Sequence, residues 1–343
     1  MCYNIWVEKF FRKRTVIMKR KTIVAISTLL VASSLFASCS SGGNKVSFGE
    51  YWYKNASISA SVGATETLSY DITFTKGAGI GKNYDIDYTN GEYTTTFSLV
   101  EEDGKQFYRL TSTLTIDVTY TFNGNSETFN DMVSSTVDFE KNVALTPIKS
   151  HKDMVTHSPK ISNAGDTVQG CFDLYDYTVD VVYNGAAGVS TVTNNRAENS
   201  VKKHDFEIDD ADDYNYLDNE QLLFALRGLQ PTATTTSNTF LVYAPFSKVS
   251  QKISTTFGSK VAGEKFTFIK NGESQASEGT IEYYPITIEL AESNPGSPQL
   301  VKIAATTSSK ANVNRNMILE IQTPLSYNLG TLTYKVKSAN LFE

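Results

Sequence analysis

In the run Leu114, Ile116, Val118, Tyr120, Phe122 every second residue is apolar, and Thr115, Asp117, Thr119 and Thr121 fill the gaps. A period of two sends successive side chains to opposite faces of an extended strand, so one face enters a core while the other meets water. A helix repeats every 3.6 residues and cannot use this pattern. The same alternation runs through Leu68, Tyr70, Ile72, Phe74 and through Tyr177, Val179, Val181. The chain also holds 19 Tyr and 19 Phe, residues that suit a pleated, half-buried surface.

Turn chemistry agrees. Asn90-Gly91, Asp103-Gly104, Asn123-Gly124, Asn184-Gly185 and Asn271-Gly272 each pair residues that tolerate positive φ, as tight hairpin turns require. One segment breaks the strand pattern. From Asp218 to Leu229 a cap residue is followed three places on by Gln221, then by Leu222, Leu223, Leu226 and Leu229 at helical spacing, with Gly228 and Pro231 at the end. These are the start and stop signals of a short amphipathic helix needing an apolar partner surface. The expected fold is therefore mainly β: an antiparallel curved sheet, sandwich or open half-barrel with one short helix. Residues 46–343 read as one domain.

The first 38 residues read as a leader. Lys19, Arg20 and Lys21 follow Met18, then comes the apolar run Thr22 to Phe36, then Ala37, Ser38 and Cys39. That is the order of a secretory signal, and its apolar stretch is short for a transmembrane helix. Met18 is a better start than Met1. The sequence Phe36-Ala37-Ser38-Cys39 resembles the lipobox of bacterial lipoproteins, which implies a diacylglyceryl group on Cys39 and cleavage before it. The expected localisation is then export, with a lipid anchor holding the chain to a bacterial membrane facing periplasm or exterior. Residues 39–45, including Ser40, Ser41, Gly42 and Gly43, have tether composition.

Removing the leader takes away seven basic residues and Glu8, so the net charge of −6 falls to −12. A phosphate backbone wants the opposite sign, which argues against nucleic acid as a partner. With Cys2 in the leader and Cys39 acylated, Cys171 stands alone in the mature chain; it reads as a buried structural thiol on a strand.

Several pieces in order resemble uncharacterised periplasmic proteins with a LolA/LolB-like open β-barrel. They are Leu68-Ser69-Tyr70-Asp71-Ile72, Gly77-Ala78-Gly79, Phe139 to Pro147, Leu226-Arg227-Gly228-Leu229, Val261-Ala262-Gly263-Glu264, Pro285, and Leu329-Gly330-Thr331-Leu332. The likeness spans about residues 66–337, with His151 to Gly170 outside it. It implies a strongly curved sheet wrapped around the helix, with an apolar concavity able to hold acyl chains.

Little points to chemistry. Gly77 to Lys82 lacks the first glycine and the Ser or Thr of a phosphate loop, with Lys76 and Asn83 in their places, and reads as a glycine-rich strand end. His151, His157 and His204 lie singly, as loop or surface residues rather than paired metal ligands. No Gly-x-Ser-x-Gly elbow is present. Asp209, Asp210, Asp212 and Asp213 are a weak calcium candidate without the central glycine of a helical calcium loop, and a solvated acidic loop is the simpler reading. No catalytic residue and no cofactor is indicated. The leading expectation is a non-catalytic envelope lipoprotein that binds lipid or another hydrophobic ligand, a glycan or a protein. The alternatives are a hydrolase with dispersed carboxylates and a purely structural surface component.

Overall fold

The computed structural model describes residues 45–48, 62–78, 84–160, 167–196, 200–229, 236–290, 298–305 and 314–341. Cys39 and the leader lie outside them. Among the described residues seventeen strands are formed: β1 (Thr65–Lys76), β2 (Tyr84–Glu102), β3 (Lys105–Phe122), β4 (Asn125–Glu140), β5 (Pro147–Pro159), β6 (Phe172–Asn184), β7 (Ala187–Asn194) and β8 (Ser200–Glu207) come first. After them come β9 (Tyr216–Asp218), β10 (Ser237–Ala244), β11 (Val249–Phe257), β12 (Lys265–Lys270), β13 (Ser277–Thr280), β14 (Tyr283–Leu290), β15 (Gln299–Ala304), β16 (Ile318–Pro324) and β17 (Gly330–Leu341). Between β9 and β10 lies the helix α1 (Leu222–Leu226).

Strands β1 to β8 form one antiparallel meander, each paired with the next. On its other side β1 pairs with β17, and the sheet continues through β16, β15, β14, β11 and β10 to β9. The β12–β13 hairpin joins β17 in parallel at Ile269 and Lys270. The result is one open sheet, with β8 and β9 at its free edges.

Side chains span the gap that the backbone leaves open. The Tyr243 hydroxyl of β10 donates to Ser190 Oγ of β7 at 3.0 Å, and Tyr183 and Ser150 both donate to Asp218 at the end of β9. Phe206 stacks on Tyr243 with ring centroids 3.8 Å apart. Val179, Val181, Ile208 and Leu241 complete a small second core there. The main core fills the concave side of the sheet, where Leu68, Tyr70, Ile72, Leu114, Ile116, Val118 and Tyr120 are all buried. The alternation read from the sequence thus sets the inner face.

Two local readings are corrected. Asn90-Gly91 is not a hairpin turn but a bulge within β2, where pairing steps from Thr89↔Asp117 to Glu92↔Thr115. One extra residue flips the phase of the strand. Inward residues are Ile86 and Tyr88 before the bulge and Tyr93, Phe97 and Leu99 after it. Asn90 takes φ 52°, and a Cβ at Gly91 would run into the Ile72 side chain. Asn184 ends β6, so the turn to β7 is Gly185-Ala186. Residues 151–159 are the last nine residues of β5. Asp103-Gly104, Asn123-Gly124 and Asn271-Gly272 do make positive-φ turns, and Gly77 closes β1 by donating to Leu329 O.

Candidate functional site

The site is the seam between α1 and the concave face of the sheet. Its entry is fixed by the capping box foreseen at Asp218 and Gln221: Glu220 N–H donates to Asp218 Oδ1 at 2.8 Å, and Asp218 N–H to Gln221 Oε1 at 3.2 Å. Gln221 also donates to Leu145 O at 2.7 Å. The helix is shorter than the 218–229 span. Asn219–Gln221 form a 3-10 turn, and Arg227, Gly228 and Leu229 each bond three residues back. Such i→i+3 bonds tighten both ends of a helix. Gly228 has no positive φ and is not a left-handed cap. Its lack of a Cβ serves another need, since the backbone of Phe48 passes directly over it.

Leu222, Leu226 and Leu229 are buried and Leu223 half-buried, as the stripe requires. Phe224 stacks on Phe97 at 4.6 Å and meets Phe139 at 5.5 Å. A buried ion pair sits at each end. Lys152 Nζ of β5 lies 3.1 Å from Glu220, and Arg227 forks onto both oxygens of Glu66 in β1. Burial pushes the Asp218 carboxyl up and neighbouring Glu220 adds to this, against hydrogen bonds from Ser150, Glu220 N–H and Tyr183.

Between helix and sheet lies a cavity of about 30 Å³, walled by Leu68, Leu110, Leu222, Ile318 and Ile321, with Tyr70, Glu220, Arg227 and Gln299 supplying polar edges. That is room for about one or two waters, where small-molecule pockets usually hold ten times as much. In this conformation the helix plugs the barrel.

The other sequence candidates fall elsewhere. Asp209, Asp210, Asp212 and Asp213 are exposed in the loop before β9; Asp210 reaches Lys252 at 3.1 Å. Among the described residues no group of three His, Cys, Asp or Glu side chains suits a metal ion. Thermal melts in calcium and in chelator should therefore coincide, whereas a saturable rise in melting temperature with calcium would show a bound ion.

Cys171 is buried, as expected, but it closes a 3-10 turn (Val168–Cys171) rather than lying on a strand, and burial raises its thiol pKa. All three histidines, read as loop or surface residues, lie on strands; the surface reading holds for exposed His151 and fails for His157. His157 of β5 is buried, held by Asp131 at 2.7 Å and stacked on Phe129. That carboxylate also accepts His157 N–H at 2.9 Å just past the last β4–β5 pair, Met132↔Val155, so it replaces a missing ladder bond. His204 lies on β8.

His151 is exposed on the outer face, with Nδ1 2.7 Å from Asp180 and Nε2 3.0 Å from Asp153. With a carboxylate at each ring nitrogen the imidazolium is the favoured form. The Asp180 hydrogen bond raises its pKa most, burial opposes, and Asp153 adds to the rise. A folded-state pKa above the unfolded value of about 6.5 makes this stabilisation complete at lower pH and lost as pH rises through the folded value. Exposure keeps it small. An NMR titration should show His151 losing its proton above the ordinary histidine range, and Asp180→Asn should move the midpoint down. A midpoint at the ordinary value in the wild type would refute the bridge.

No family model and no curated protein sequence matches the chain. Among solved structures, the crystal structure of a β-barrel-like protein of a domain of unknown function, DUF1849, from Brucella abortus aligns with a TM-score of 0.47 at 9% identity, covering 83% of this chain and 100% of that one.

The residues that sequence reasoning passed over are Glu66, Lys152 and Asp131. Each sits at an inward position of its own alternating strand, in phase with Leu68, Met154 and Val133 respectively. A charge in the apolar phase of a strand is the signal that would have found them.

Proposed function

We propose that the protein is an exported, lipid-anchored, non-catalytic binding module of the bacterial cell envelope, whose ligand is hydrophobic and enters between α1 and the concave sheet. The observation that carries this reading is the cavity itself. It lies under α1, and its walls combine six aliphatic side chains (Leu68, Leu110, Leu222, Leu223, Ile318 and Ile321) with three aromatic and six polar ones. A ligand larger than a few atoms must displace α1, so the helix acts as a plug that yields to the occupant. Two carboxylate pairs of the kind a hydrolase uses are built around cations instead: Glu264 and Glu320 on Lys302, and Asp153 and Asp180 on His151. The test is titration with a dye that fluoresces in apolar surroundings, such as N-phenylnaphthylamine. Saturable uptake, displaced by a fatty acid, is expected. Absence of saturable uptake by the folded protein would overturn the binding reading in favour of a structural role.

A further inference from the structure

The chain just after the tether is bolted to one end of the barrel. Val46 N–H donates to Asn215 Oδ1 at 2.6 Å, and Phe48 N–H to Val143 O at 2.8 Å. The Phe48 ring is fully buried edge-on to Phe240, with centroids 5.2 Å apart. Its backbone crosses Gly228 so closely that no Cβ fits there.

These partners share an end of the sheet. Val143 lies in the connection from β4 to β5, and Asn215 in the loop that leads from β8 into β9. Register places the Asp103-Gly104 turn of β2–β3 and the Gly185-Ala186 turn of β6–β7 at the same end. The Asn123-Gly124 turn of β3–β4 lies at the other.

Lys45 lies six steps along the chain from Cys39, a reach of about 20 Å at full stretch. Strand β3 has 18 residues, about 60 Å of strand at the usual rise. With a usual barrel tilt of about 40° this is roughly 45 Å along the axis. A lipid on Cys39 could not let the far end turn down to the surface, because the leash is less than half the barrel's height.

We propose that the lipid surface is the partner of this one end: the barrel stands with the Asp103-Gly104 rim towards the membrane and the Asn123-Gly124 tip away from it. The inference rests on acylation of Cys39, which is part of the function proposed above.

The experiment uses the full chain, exported and processed, reconstituted in phosphatidylcholine vesicles, with Cys171→Ala so that one added cysteine carries a fluorescent donor. Lys105→Cys marks the near rim and Asn125→Cys the far tip, both at exposed strand starts. With acceptor-labelled lipid in the outer leaflet, energy transfer from position 105 should exceed that from position 125 several-fold. Mass spectrometry of the N-terminal peptide reports the acyl chain separately. Equal transfer from both positions in an acylated protein would mean that the barrel lies on its side, and would overturn the orientation alone. Absence of an acyl chain on Cys39 would overturn the anchoring reading, and the orientation with it.

Discussion

Replacing Arg227 by Met should cost the fold about 3 to 5 kcal/mol, the range for breaking one partner out of a buried ion pair. Arg227 and Glu66 are both almost fully buried, and the guanidinium forks onto both carboxylate oxygens. Arg227 also donates to Arg315 O at 3.0 Å, and its own carbonyl accepts from Asn316 at 2.8 Å, so the residue ties the helix end to β1 and to the chain entering β16. Methionine retains much of the aliphatic stem and its packing over Phe224. What the substitution leaves is Glu66 buried without its cation, which must either take up a proton or draw in water. The matching change at Glu66 decides whether charge is the cause. Glu66→Leu combined with Arg227→Met should be more stable than Arg227→Met alone, since an apolar pair of similar volume often does as well as a buried ion pair. The measurement is urea denaturation of the three proteins. A loss below about 1 kcal/mol in Arg227→Met, the range of exposed pairs, would show that the seam is wet.

The strands were legible because alternation is a local property, and the register of Leu114 to Phe122 needs no knowledge of its partners. The helix start was legible for the same reason, since Asp218 and Gln221 bond each other's backbone within four residues. Asn90-Gly91 was misread because a positive-φ dipeptide serves a bulge as well as a hairpin. What separates the two is the phase of the apolar residues on either side, Ile86 and Tyr88 against Tyr93 and Phe97. Gly228 was assigned to a cap when its cause is the crossing of a segment 180 residues earlier. Of the seam, the leucine stripe could be read, while its ion pairs could not. Glu66 and Arg227 stand 161 residues apart, and no local pattern joins them. Pairing of that kind is set by the order in which strands wrap, which the alternation does not encode.

Leu226→Ala should cost about 2 to 5 kcal/mol through lost transfer energy and the cavity left behind, because the side chain is completely enclosed among the residues of the main core. A helix of five residues is far too short to be stable alone and owes its existence to this packing. Leu226→Asp should be worse, since a carboxylate would be buried without a cation or the whole turn would have to leave the barrel. The alanine variant also bears on how the plug moves. The seam already holds about 30 Å³, lined by Leu222, Leu223 and Phe224 of the helix, and truncating Leu226 weakens the hold of α1 on the core next to that space. If α1 yields to ligand, dye uptake by the variant should tighten at the same time as its denaturation midpoint falls, because less packing has to be broken before the occupant fits. A full stability loss with no dye uptake at any concentration, in variant and wild type alike, would make α1 a permanent part of the core and the barrel a filled scaffold. A loss under about 0.5 kcal/mol, the range of surface changes, would contradict the enclosure of Leu226 itself.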